Sequence, residues 1–137
     1  MRPAAVKMLI SMLAKRTKAG KSFHARSWDV KGAFLQNSIL KRTRAKKERD
    51  PGYVEPPPIL LRFPDGKIGK LKAYVYGLKQ ASYEWYECMR DVLLTAGYVP
   101  TDDPCLFKID DGDDNIYVCV HVDDVFAIAT SDHLHDQ

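Results

Sequence analysis

The chain has no apolar run near the length of about 20 residues that a bilayer-spanning helix needs, so nothing in it points to a membrane. Cysteine is scarce: Cys88, Cys105 and Cys119 are odd in number and show no C-x-x-C spacing. That excludes a disulfide frame or a cysteine zinc site and suggests reduced, mostly buried thiols in an intracellular protein. The histidines His24, His121, His133 and His135 are too scattered to hold zinc. No small-residue cleavage pattern follows the apolar stretch Ala4 to Leu13, which carries Lys7 and precedes Lys15, Arg16 and Lys18. An amphipathic helix fits this stretch, and a signal peptide does not. Ala19-Gly20-Lys21-Ser22 lacks the glycine that a phosphate-binding loop needs five positions before Gly20, where Lys15 stands. The acidic run from Asp110 to Asn115 has its glycine misplaced for a calcium loop, and it reads as a solvated turn. No internal repeat is present.

What is present suits one domain with a real core. The chain has 137 residues, 45% of them hydrophobic and 28% charged. Its net charge of +3 hides an asymmetry, because residues 1–50 are strongly basic and residues 51–137 are acidic. A basic segment beside an acidic cluster suits a protein that grips a phosphate backbone and concentrates metal near it. For the stretch Lys41 to Arg49 a solvated basic loop is the equal alternative.

Periodicity places the elements. Val6, Leu9, Ile10 and Leu13 define one buried face of a helix from Pro3 to Lys18, with Gly20 past its end. Phe23 to Val30 reads as a strand. Ser38 to Arg49 is a basic surface helix or a mobile loop, and Pro56-Pro57-Pro58 forces an extended connector. Ile59 to Phe63 and Gly69 to Val75 read as strands around Pro64-Asp65-Gly66. Ser82 can cap a helix with Glu84 and Glu87 near its positive end. Trp85, Cys88, Met89, Val92 and Leu93 then form its buried stripe, and Gly97 stops it. Cys105 to Ile109 and Ile116 to Val120 follow as a hairpin. Two helices and several antiparallel strands predict an α+β fold, a sheet packed against two helices.

The most informative stretch is His121-Val122-Asp123-Asp124, between the apolar runs Ile116 to Val120 and Val125 to Ala129. Two adjacent carboxylates thus stand at the turn of a hairpin whose strands favour burial. Asp favours turns on its own account, so an ordinary surface turn competes with a functional reading. A further carboxylate, Asp29, closes the strand-like stretch Ser27-Trp28-Asp29-Val30. Acidic residues from separate strands can converge on hard divalent cations, which prefer oxygen ligands.

The ordered motifs go further. Asp29-Val30-Lys31-Gly32-Ala33-Phe34-Leu35 is followed by Tyr53-Val54-Glu55-Pro56-Pro57-Pro58 and Tyr76-Gly77-Leu78-Lys79-Gln80-Ala81-Ser82. Then come Trp85-Tyr86, Asp103-Pro104-Cys105-Leu106-Phe107 and Val122-Asp123-Asp124. In this order, from Pro3 to Ser131, the chain closely resembles the reverse transcriptase domain of copia-type LTR retrotransposon polyproteins. The resemblance implies a polymerase-palm-like sheet and RNA-directed DNA synthesis, a nucleotidyl transfer from dNTPs to a primer 3′-hydroxyl on an RNA or DNA template. It implies two Mg2+ or Mn2+ ions, with Asp29, Asp123 and Asp124 as catalytic and metal-binding residues. Phe34 would floor the sugar pocket and Gln80 would lie against the incoming nucleotide or template.

The sequence departs from the family at several places. His121 stands where the family usually has an aromatic residue before the aspartates, and it would lie near the primer. Ser82 replaces a frequent proline. The stretch from about residue 38 to 50 reads as a basic insertion, an added nucleic-acid contact through Lys41, Arg42, Arg44, Lys46 and Lys47. By the resemblance, residues 1–137 form one partial reverse transcriptase domain centred on the palm, with fingers and thumb incomplete and the RNase H region beyond it. The rest of the polyprotein would then be a partner. The alternative reading is a non-catalytic, transposon-derived remnant that binds nucleic acid or protein through its basic N-terminal half.

Overall fold

A computed structural model describes residues 3–15, 20–111 and 114–130. The chain forms two compact units, one from residues 1–31 and 89–137 and the other from residues 32–88. The fold is mixed helix and sheet.

The first unit is built on a five-stranded, wholly antiparallel sheet in the order β1-β7-β6-β5-β4. Its strands are β1 (His24–Asp29), β4 (Val99–Pro100), β5 (Leu106–Asp111), β6 (Asp114–His121) and β7 (Asp124–Ala129). β6 and β7 are rich in β-branched and apolar residues and take the two most protected positions. Ile116, Val118, Val120, Ala127 and Ala129 are buried on one face, and Cys119 and Ile128 on the other. The helix α1 (Pro3–Leu13) lays Ala5 and Leu9 on the second of these faces, against Leu106, Cys119 and Ile128. Its buried face is therefore turned from the expected one. Met12 and Leu13 pack beside Leu9, whereas Ile10 stays 57% exposed. The helix ends at Leu13, short of the expected Lys18, and Ala14 and Lys15 already lie outside it; residues 16–19, and His133 and His135, lie outside the described residues.

The second unit holds α2 (Ala33–Gln36), α3 (Ile39–Arg49) and the separate two-stranded ribbon of β2 (Leu60–Arg62) and β3 (Ile68–Lys70). The basic stretch is a helix, its N-terminus capped by Ser38, whose hydroxyl accepts from Lys41 N at 3.4 Å. The ribbon is shorter than the hydrophobic pattern suggests. Beyond Lys70 the chain leaves β2, and Ala73 bridges to Ser38. The long helix α4 (Lys79–Thr95) contributes residues to both units. It starts three residues before Ser82, because Gly77 turns the chain at φ 94° and Leu78 already accepts from Ala81 N. Ser82 is thus inside the helix and does not cap it. Within the expected stripe Trp85 and Leu93 are buried, but Val92 is 57% exposed. Four helices are described, where the sequence pattern suggested two and left the stretch of α3 open between helix and loop.

Among the described residues, no helix is long and apolar enough to cross a membrane.

Candidate active site

The burial of β6 and β7 fades toward one end of the sheet. Ala127 to Thr130 are buried, Val125 and Phe126 half-buried, and Asp124 exposed. Carboxylates belong at that wet end, because an ionised group buried without a partner is costly. Register then sets a row across three strands. Asp29 on β1 pairs directly with Asp124 on β7, and Asp124 pairs directly with His121 on β6. Directly paired residues project to one side of a sheet, so this row lies on the face that α1 covers further along.

Asp123 joins the row from the turn. Val122 and Asp123 link β6 to β7, and Val122 has φ 54°, a conformation strained for a β-branched residue. Two-residue hairpin turns with a positive first φ favour glycine there. The turn is tied back to β1, since Val30 N donates to the Asp123 carbonyl at 2.8 Å. Asp29, Asp123 and Asp124 each offer one carboxylate oxygen, and these oxygens all lie within 4.8 Å of one another. Among the described residues, none of the three carboxylates makes an ion pair or side-chain hydrogen bond with another side chain. Three hard oxygen donors at this spacing, with no protein cation among them, fit a divalent ion such as Mg2+.

A cleft of about 730 Å3 adjoins the carboxylates in the same unit. Val6, Ile10 and Leu13 of α1, with Trp28 and Phe126, give it apolar walls beside the acidic row. Apolar walls with a few convergent polar groups are the usual make-up of a ligand site.

The remaining sequence-derived candidates fall in the second unit. Phe34 is 4% exposed, and its ring packs on that of Tyr76 with centroids 4.4 Å apart. Tyr76 itself is 54% exposed and was not singled out by sequence. Gln80 is exposed in the first turn of α4.

The cations of α3 have partners that sequence did not foresee. Arg42 is buried and donates through Nε to Glu84 Oε2 at 3.3 Å, and Lys46 pairs with the other oxygen of the same carboxylate. Lys47 pairs with Glu55 at 3.0 Å. Lys41 and Arg44 are exposed. Glu84 is therefore a buried anchor for α3 and not a charge at a helix terminus. Its spacing from Ala81 and Trp85, on the buried side of α4, is the signal that could have revealed it. The same carboxylate, after burial itself, helps push the Tyr74 hydroxyl up to about 12.

The chain is similar in sequence to known proteins. The profile of the reverse transcriptase (RNA-dependent DNA polymerase) family matches residues 1–136. The retrovirus-related Pol polyprotein from transposon RE1 of Arabidopsis thaliana is 35% identical over 102 residues, which is 73% of this chain. The corresponding polyprotein from transposon RE2 of the same plant is 36% identical over 106 residues, 77% of the chain. The chain spans 7% of the length of each. A putative transposon Ty5-1 protein of Saccharomyces cerevisiae is 31% identical over 112 residues, covering 80% of the chain and 33% of that protein. No solved structure matches the fold. On the profile match and these relatives, the chain belongs to the reverse transcriptase family, in the copia-type group of retrotransposon polyproteins that its ordered motifs resemble.

Proposed function

We propose that this chain provides the catalytic palm of an RNA-directed DNA polymerase that extends a primer on an RNA or DNA template. The observation that carries the reading is the convergence of Asp29, Asp123 and Asp124, with one oxygen from each within 4.8 Å of the others. When bound, two Mg2+ or Mn2+ ions supply activation of the primer 3′-hydroxyl and stabilisation of the departing pyrophosphate. The chain's own part is positioning. Asp29 and Asp124 hold their carboxylates on paired strands, and the strained turn presents Asp123 beside them. His121, in register with Asp124, is assigned to the primer side. Phe34 and Gln80 are assigned to the incoming dNTP, Phe34 acting together with the ring of Tyr76.

The two compact units are read as parts of one reverse transcriptase domain, because the family match runs through both. The rest of a polyprotein is the expected partner, supported by the length of the relatives. An intracellular setting is part of the same reading, supported by three free thiols. The rival remnant reading leans on α3 as a nucleic-acid contact, and the pairing of Arg42, Lys46 and Lys47 with carboxylates weakens that footing.

The test is titration with Mg2+ or Mn2+ by calorimetry or NMR, comparing the wild-type chain with Asp29→Asn and Asp123→Asn. Both substitutions should weaken binding and leave the fold intact, and Asp123→Asn should abolish primer extension. Binding or synthesis that is indifferent to Asp123→Asn would overturn the assignment.

A further inference from the structure

Strand β1 is an outer strand of the five-stranded sheet: β7 lies on one side, and among the described residues no strand lies on the other. All of its residues, His24 to Asp29, are exposed. Register decides which backbone groups meet β7. Val30 N donates to the Asp123 carbonyl at 2.8 Å, one pair beyond Asp29 and Asp124. Such groups alternate along a strand, so Trp28, Arg26 and His24 turn N–H and C=O toward β7, whereas Asp29, Ser27 and Ala25 turn theirs outward. An open edge of this kind is a template for another strand, and proteins blunt it with proline, lysine or a bulge. His24 to Asp29 has none of these.

The cleft of about 730 Å3 reaches the same edge, lined there by Val6 and Ile10 of α1 and by Ser27 and Trp28 of β1. Ile10 is 57% and Trp28 42% exposed. Outward backbone groups beside apolar walls suit an added protein strand, which satisfies both.

The sequence of β1 complements itself. In a two-fold antiparallel pairing only the outward groups can exchange bonds, so odd-numbered residues face odd and even face even. Only registers centred on Arg26 or on Ser27 then pair five of the six residues. Centring on Arg26 sets two guanidinium groups opposite each other, a destabilising like-charge pair. Centring on Ser27 sets Arg26 opposite Trp28 of the second copy, a cation against an aromatic ring, once in each half. It also sets Asp29 opposite Ala25 of the second copy. The two carboxylate rows are then about 13 Å apart along the strands, beyond a Debye length of about 8 Å at physiological salt, and repel little.

We propose that this chain self-associates through β1, two copies pairing antiparallel about Ser27 into one continuous sheet. Both α1 helices then lie on the same face, and each copy's β1 walls the open side of the other's cleft beside Asp29. The association needs no metal and is independent of the polymerase reading.

Sedimentation equilibrium of the whole chain over a concentration series tests the pairing. The wild-type chain should pass from monomer to dimer as concentration rises. Ser27→Pro removes an outward N–H, and an edge strand tolerates proline there, so the circular dichroism should persist. The bonds exchanged across the axis are lost, so the dimer should weaken roughly tenfold. Cysteine cross-linking reads the register separately. Under mild oxidation Ser27→Cys should give a disulfide-linked dimer, mapped by peptide mass, because directly paired residues lie about 5.5 Å apart at Cα. Ala25→Cys, which faces Asp29 and not itself, should give none through residue 25. A wild-type chain that stays monomeric at every concentration would overturn the proposal and leave the edge to a strand of another protein. So would a dimer that Ser27→Pro leaves intact, or self-linking of Ala25→Cys in place of Ser27→Cys. If Ser27→Pro unfolds, the cross-linking pair decides alone.

Discussion

Asp29 and Asp124 are direct partners in the β1–β7 ladder, so two carboxylates leave adjacent strands on the same face, and Asp123 adds a third. Like charges directly opposite on a sheet are destabilising, by a fraction of a kcal/mol up to about 1 kcal/mol. In chelator, Asp29→Asn should therefore raise the urea midpoint by an amount equivalent to about 0.5 kcal/mol. With Mg2+ at a level that saturates the wild-type chain the order should reverse, because the wild-type site gains more binding energy in the folded state than the weakened one. A wild-type midpoint that ignores Mg2+ would show that this acidic row is tolerated for another reason.

Val122 stores strain next to the carboxylate it helps to present. A β-branched residue at φ 54° costs of order 1–3 kcal/mol, and glycine at that turn position removes most of the penalty. Val122→Gly should then stabilise the chain by about 1 kcal/mol, offset in part by the greater freedom of glycine in the unfolded state. The same freedom should loosen Asp123 and weaken Mg2+ binding several-fold. Thermal unfolding and metal titration of one variant check both halves, and a gain in both stability and affinity would refute the link.

The acidic site was legible because its residues are poor choices for packing. Two aspartates between apolar strands, and a third at the end of another strand, make little sense as core. The order of the surrounding motifs gave their relationship. Glu84 was not legible in the same way. Its local context suggested favourable charge near a helix start, whereas its partner Arg42 lies 42 residues away in sequence. The face of α1 was misplaced for a related reason. Val6, Leu9, Ile10 and Leu13 satisfy helical spacing, but so do Ala5, Leu9 and Met12, and only the sheet beneath decides between them. Gly77, not Ser82, set the start of α4, since a backbone turn at positive φ outranks a side-chain cap further on.

Glu84 holds Arg42 and Lys46 at once, with the Arg42 and Glu84 side chains only 7% and 8% exposed. Removing one partner of a buried pair leaves an uncompensated charge, at a cost of about 3–5 kcal/mol. Glu84→Gln should destabilise the chain by that order, seen in urea unfolding. Lys47→Gln, which touches only the exposed pair with Glu55, should change stability by less than about 1 kcal/mol. Equal effects of the two would mean that Glu84 does not anchor α3.

Alkaline pH offers a test of the two cores separately. Burial, then the nearby Cys105 and Asp103, pushes the Cys119 thiol from 9.0 up to about 11. Burial, then Glu84, pushes the Tyr74 hydroxyl from 10.0 up to about 12. Both groups are neutral in the folded chain, and both have folded values above their unfolded ones. Their contribution to stability is thus fully present below the unfolded values and is lost as pH rises through the folded ones. Stability should stay level up to about pH 9, then fall through pH 11 as the unfolded thiol ionises first, and continue to fall toward pH 12. Each shift corresponds to roughly 2–3 kcal/mol when fully expressed. Cys119→Ala should lower stability at neutral pH by about 1 kcal/mol through lost packing. It should also delay the onset of the alkaline decline by about one pH unit, because the remaining groups with raised folded values, the buried tyrosines Tyr74 and Tyr98, begin to ionise only near 10.0 when unfolded. Urea midpoints measured from neutral to alkaline pH for the two chains decide the matter, and an unchanged onset in Cys119→Ala would show that the thiol does not govern the first part of the decline.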